Sequence, residues 1–167
     1  MRLFSGKIGE LSDELVKSLV SGNHIETEET KEVAKDLEAI FGQYLATDRE
    51  ISDRAKEMSQ ARPNEYGRLK RLLAEERGIK IGDEMLDYLL DQSIEMLMHS
   101  NNVDEVFSED HVLRKTMRTI LRKHLELDEA IDREVRGKLK HVQEGTRVWE
   151  VEYQRVMGDI ERRKRLS

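Results

Sequence analysis

Apolar residues along this chain recur at intervals of three and four, and each run stops at glycine, asparagine or proline. That is the signature of amphipathic helices. Leu11, Leu15 and Leu19 mark one face of a first helix, which Gly22 can end. Thr27 can cap the next, with Glu28 and Glu29 at its positive end. Val33, Leu37, Ile40, Tyr44, Ile51, Ala55 and Met58 then keep a helical phase to Gln60, roughly 34 residues or about 50 Å. The capping-box sequence "TDRE" offers a break near Thr47. Pro63 interrupts, Asn64 can cap a short helix with Tyr66, Leu69, Leu72 and Leu73 inward, and Gly78 ends it.

The pattern then comes round again. Leu90, Ile94 and Met98 share one face, Ser108 can cap a further helix, and Leu113, Met117, Ile120, His124, Ile131, Val135, Leu139 and Val142 carry the stripe on. A shift of 79 places Leu11 on Leu90, Leu15 on Ile94, Leu19 on Met98 and "SGN" on "SNN"; a shift of 80 then places Glu29 on Glu109, Ile40 on Ile120, Asp48 on Asp128 and Ile51 on Ile131. Helical phase alone accounts for the matched leucines and isoleucines. It does not account for the matched turns and acids, so an internal duplication is expected. The expected fold is all-α: a long-helix bundle of two duplicated helical hairpins about a pseudo-two-fold axis, with a C-terminal helical extension. In segments, 1–62 is the first hairpin, 63–78 a connecting helix, 79–143 the second hairpin and 144–167 the extension. The extended residues at 2–4 and 79–81, one set before each repeat, could pair as a small ribbon.

The extension carries the one tryptophan. Gly145 can stop a helix and Thr146 can cap the next, although the sequence leaves open whether the helix from Ser108 runs straight through. Trp149, Tyr153, Val156, Met157 and Ile160 form a stripe that has no equivalent in the first repeat and cannot stay bare. Trp149 is either core or an anchor for something else. Trp, Tyr and Arg are the usual hot-spot types, so Trp149, Tyr153, Arg147 and Arg155 are the candidate partner-binding residues.

Composition narrows the chemistry. Charged residues make up 38% of the chain and there is one proline, which suits helices that each bury one stripe. The net charge of −6 is unevenly spread: residues 10–38 hold nine acids against three lysines, residues 62–80 hold six basic residues against three acids, and the tail reads "RRKRLS". An acidic total argues against a general nucleic-acid coat protein but leaves a local basic contact open, with Arg162, Arg163, Lys164 and Arg165 the candidates. The same four charges also complement a helix C-terminus. The absence of cysteine excludes disulfides, thiolate zinc sites and a cysteine nucleophile. Glycines are scattered and form no phosphate loop, and the five histidines show no metal spacing. Glu95 and His99 come nearest to a metal motif, and no cofactor or small-molecule substrate is inferred. His124, in core phase, reads as a hydrogen-bonded core histidine. No apolar run is long enough for a signal peptide or a membrane span, so a soluble, cytoplasmic protein is expected.

"MRLFSGKI", "EGTRVWEVEYQRVM" and the late "RRK" resemble a bacterial family catalogued as domain of unknown function 507, and the likeness covers essentially the whole chain. It implies a small bacterial cytoplasmic protein and supplies no activity or site residue. With no catalytic constellation found, the expected function is a non-catalytic helical interaction protein, a scaffold or adaptor with self-association open. The alternative is an RNA- or ribosome-associated protein that contacts phosphate through the basic tail and residues 62–80.

Overall fold

The computed structural model describes residues 1–166, with side chains through Lys164. Six α-helices follow one another: α1 (Ile8–Ser21), α2 (Thr30–Met58), α3 (Tyr66–Arg77), α4 (Met85–His99), α5 (Asp110–Lys138) and α6 (Arg147–Leu166). Two short strands, β1 (Ile25–Glu26) and β2 (Glu105–Val106), pair antiparallel with Ile25 opposite Val106 and Glu26 opposite Glu105. The chain is thus an all-α bundle in which this ribbon is the only sheet among the described residues.

The long helices α2 and α5 both run for 29 residues and are offset by 80 residues at both ends, as are the two strands. Each short helix packs against both long ones: α1 on α2 and α5, α4 on α5 and α2. Return helices follow, α3 folding back on α2 and α6 on α5. The sequence reading gave the C-terminal extension no counterpart, yet α3 holds the equivalent place in the element order.

The main core lies where the short helices cross the long ones. Leu11, Leu15, Leu19, Leu37, Phe41, Leu89, Leu90, Leu97, Leu113, Met117, Leu121 and Leu125 are all fully buried there, each contributing roughly 1.5–3 kcal/mol of apolar burial. A second, smaller core of Phe4, Ile131, Val135, Leu139, Tyr153, Val156 and Ile160 joins α5 to α6.

Several expectations shift. Residues 2–4 and 79–81 do not form the ribbon. The Phe4 N–H donates to Asp128 Oδ2 of α5 at 3.0 Å, and the Lys80 carbonyl accepts the Tyr44 hydroxyl of α2 at 2.8 Å. Long-helix side chains meet these extended segments where a partner strand might have. α2 runs unbroken through Thr47, which is buried between the equally buried Tyr44 and Ile51; a break there would strand packed residues. Ile40 and Ile120 are only partly buried, whereas the next residues, Phe41 and Leu121, are in the core. Both choices follow Leu37 and Met117 at helical spacing, and contact with two neighbouring helices selects the larger overlap.

Met98 and Leu72 are 46% exposed and Met58 is 53% exposed, while Leu97, Leu73 and Ala74 face inward. The buried set of α1 (8, 11, 12, 15, 16, 19) therefore falls on that of α4 (86, 89, 90, 93, 94, 97) with a shift of 78, one residue from the register read in the sequence. Ser108 does not cap α5. Its hydroxyl lies 2.7 Å from His24 Nδ1, and the helix starts two residues later. Thr27 Oγ1 accepts the Glu29 N–H at 2.9 Å and donates to the Asn102 carbonyl at 2.5 Å, so it holds the turn ahead of α2. α5 ends at Lys138 and does not continue into α6. Gly145, at φ 92°, takes the left-handed turn between them.

Leu37→Ala and Leu121→Ala should each cost about 2–5 kcal/mol in urea unfolding, whereas Leu72→Ala, at an exposed site, should stay within about 0.5 kcal/mol of the parent.

Candidate interaction surface on the C-terminal helix

Helix α6 begins where the sequence can start one. Thr146 Oγ1 accepts the Trp149 N–H at 3.2 Å, satisfying one of the free donors of the first turn. Tyr153, Val156 and Ile160 are buried against α5 and Trp149 is partly buried beside them. Spacings of four, three and four put all four on one face. The stripe is therefore covered by this chain itself, by Ile131 and Val135 of α5, by Leu139 just beyond it and by Phe4.

A polar frame holds the aromatic pair. The Trp149 and Tyr153 rings lie 5.0 Å apart at 32°. The Arg136 guanidinium stands 5.1 Å from the Trp149 ring centre and donates to Asp132 Oδ2 at 2.9 Å and to Glu144 Oε2 at 2.8 Å. The Tyr153 hydroxyl donates to the other oxygen of Asp132. Arg2 reaches across from the N-terminus, 5.8 Å from the Tyr153 ring centre, 5.6 Å from that of Phe4 and 3.9 Å from Asp132. Burial, and then the bond to Asp132, push the Tyr153 hydroxyl well above the ordinary tyrosine range. Burial alone would lower the Arg136 pKa, but Glu144 and Asp132 more than offset it. One turn N-terminal to Asp132, Asp128 is also buried. Desolvation raises its carboxyl above the usual range, against the opposing pull of the Phe4 N–H.

The outward face of α6 differs. Val148 is 64% and Val151 58% exposed. Between them Glu150 binds Lys56 Nζ at 2.5 Å, which sets the start of α6 beside the last turn of α2, where Met58 is also exposed. Of the candidate partner residues, Tyr153 points inward, Trp149 shows only part of its ring, and Arg147 is exposed. Arg155 is exposed but paired with Glu152 at 2.8 Å and Asp159 at 3.5 Å.

The nucleic-acid candidates are spread along the last turns. Arg162 pairs with Asp159, Arg163 with Glu134 at 2.5 Å, Lys164 is exposed, and the Arg165 side chain lies outside the described residues. In residues 62–80, Arg68 pairs with Glu65 at 3.3 Å, Lys70 with Asp48 at 3.3 Å and Arg77 with Glu50 at 2.8 Å. Exposed pairs of this kind contribute little stability, but they place a carboxylate beside several of the charges that a phosphate would need.

Two of the five histidines take structural partners. His24 lies between Ser108 and Thr116, and His124 is buried against Glu14. Bonds from Lys123 and then His124 hold the Glu14 carboxyl below its ordinary range. Among the described residues there is no group of three His, Cys, Asp or Glu able to hold a metal ion, and no helix is long and apolar enough to cross a membrane. The sequence reading missed Arg2, Asp132, Arg136 and Glu144. Asp132 and Arg136 stand at the spacing of a helical ion pair, which was the one signal available.

Fold and surface together define a class, an all-α bundle whose return helices close over two long central ones. The model of the family described as "Protein of unknown function (DUF507)" matches residues 1–166, and the chain belongs to that family. No curated protein matches it.

Tyr153→Phe removes the bond to Asp132 and should cost about 1–3 kcal/mol in urea unfolding. Trp149→Ala, which strips a ring packed on Tyr153 and Arg136, should lower the melting temperature of the monomer by several degrees.

Because the Asp128 pKa is raised on folding, the folded state binds more protons through that window. Stability should therefore fall as pH rises from the ordinary aspartate range through the raised value. Asp128→Asn, which keeps an acceptor for the Phe4 N–H, should flatten that fall when melting is followed from acid to neutral pH. A variant with the parent's slope would show that Asp128 is not the group responsible.

Proposed function

We infer that the protein is a non-catalytic helical interaction protein that works through its surface. The reading rests on one observation: Val148 and Val151, two apolar residues each more than half exposed, stand three residues apart on the outer side of α6. Grouped exposed apolar side chains mark contact sites more often than scattered ones do. Trp149 and Tyr153 support this surface from beneath, since their frame fixes the helix that presents it. A scaffold or adaptor role, including self-association, fits an exposed apolar pair on a helix that is otherwise polar on that side. The phosphate-contact reading of the tail has no comparable support, because Arg162 and Arg163 already face carboxylates.

We also propose that the two halves descend from one duplicated unit. Under an 80-residue shift the ribbon pairing maps onto itself: Ile25 opposite Val106 becomes Glu105 opposite Glu26. The packing does likewise, α1 on α2 and α5 becoming α4 on α5 and α2. A local two-fold axis produces both relations. An experimental structure in which no single rotation lays α1 and α2 on α4 and α5 would overturn this.

Val148→Asp with Val151→Asp tests the functional reading. Both sites are exposed, so melting should move by no more than about 2 °C. Self-association measured by light scattering, or recovery of a defined protein partner, should be lost. A double variant that keeps the parent's contacts removes this end of the molecule as the interaction site.

A further inference from the structure

Charge is sorted by the two ends of the long helices. β1 and β2 pair just ahead of α2 and α5, so both helices start at the ribbon. They also finish side by side: Glu150 of α6 holds Lys56 in the last turn of α2, and Gly145 lies against Tyr66 and Lys56. At the ribbon end, residues 26–36 and 104–111 hold nine acids against two lysines. At the far end, residues 54–62 and 136–147 hold seven arginines and lysines against two acids.

Helix dipoles account for part of this, since acids suit the start of a helix and cations its finish. They do not account for the rest. Glu26 and Glu105, both exposed, stand directly opposite each other in the ribbon, where like charges repel. Arg147 is the first residue of α6, where a cation opposes the dipole. Lys140 lies in the turn before it, outside any helix. Arg147 and Lys140 are exposed too, and none of these four residues has an ion pair among the described residues. Each end thus keeps exposed charges of one sign that the fold itself does not neutralise.

We propose that these ends meet: the turn between α5 and α6 of one copy docks on the ribbon of a second copy of this chain. The inference rests on the interaction-protein reading above and names its partner. A single chain cannot bring its own ends together, because α2 and α5, at 29 residues each, hold them roughly 43 Å apart. Apolar groups stand beside the charges at both ends. Val148 and Val151 follow Arg147 on α6 at 64% and 58% exposure, and Phe107 follows Glu105 at 54%. The contact joins unlike surfaces, so each copy added leaves one end open and rows of copies grow. A nucleic-acid backbone is the weaker match, because its charge would also face the rest of a chain of net charge −6.

The test is sedimentation of the full chain at about 10 mM and about 1 M salt, where charges are screened over about 30 Å and about 3 Å. At low salt the mass should exceed the 19.6 kDa of one chain and rise with concentration; at high salt it should return to one chain. Lys140→Glu with Arg147→Glu should abolish the association, and so should Glu26→Lys with Glu105→Lys. All four sites are exposed, so melting should move by no more than about 2 °C. Mixing the two reversed proteins should restore association, because each then offers the charge that the other lacks. A mixture that stays monomeric, or association that high salt leaves unchanged, overturns the proposal. So does a parent that is monomeric at low salt but binds a labelled RNA oligonucleotide through Lys140 and Arg147. Salt-dependent association that survives Val148→Asp with Val151→Asp upholds the end-to-end contact and removes the apolar pair as the site. A parent that stays monomeric at low salt, while that double variant loses a different protein, overturns this inference and leaves the interaction reading standing.

Discussion

Two long helices with one-sided apolar stripes have to be covered, and neither half of the chain covers its own unaided. α1 lies on α5 as well as on α2, and α4 on α2 as well as on α5. The buried leucines of the short helices therefore touch both long ones, and removing either short helix would open both. Extended residues 2–4 and 79–81 follow the same rule, each bonding to the long helix of the other half. Contacts of this kind tie the two halves into one shared core even though their elements are sequentially separate.

What distinguishes the halves is the way the outer part of each long helix is closed. α3 is short and packs through Leu69, Leu73 and Ala74. α6 is longer and brings an aromatic pair, two arginines and buried or half-buried carboxylates into contact. Such a network is sensitive, because a buried polar group that loses its partner costs more than the bond contributed. Here Asp132 accepts from both Tyr153 and Arg136, and Arg136 is also held by Glu144, so these four satisfy one another, while the buried Arg2 Nε has no hydrogen bond among the described residues. That satisfaction fixes the orientation of α6 and leaves its outer face free.

This division bears on function. The most distinctive residues of the sequence, Trp149 and Tyr153, belong mainly to the inside of the molecule. The exposed apolar side chains are plainer, Val148 and Val151 on α6 and Met58 at the end of α2. The basic residues of the tail and of residues 62–80 are in large part already beside acids of this same chain. An acidic protein with internally balanced basic segments has a weak general pull on phosphate.

The sequence by itself determined the all-α class, the phase of the two long helices, the stop at Gly78 and the single face shared by Trp149, Tyr153, Val156 and Ile160, and it left open whether a helix runs through Gly145 and what that face meets. Those follow from local rules, apolar periodicity and the backbone freedom of glycine, which operate within a few residues. It also carried the 80-residue offset of the long helices, because Glu29, Asp48 and Ile51 recur as Glu109, Asp128 and Ile131. Only the tertiary structure decided between residues that local rules treat alike. Phe41 is in the core and Ile40 is not, and Leu97 is buried while Met98 is exposed, because the neighbouring helices approach from directions that no local window contains. The Asp132, Arg136 and Arg2 frame was out of reach for the same reason. Asp132 and Arg136 look like an ordinary exposed pair until residues 2–4, at the far end of the chain, and α6 close over them.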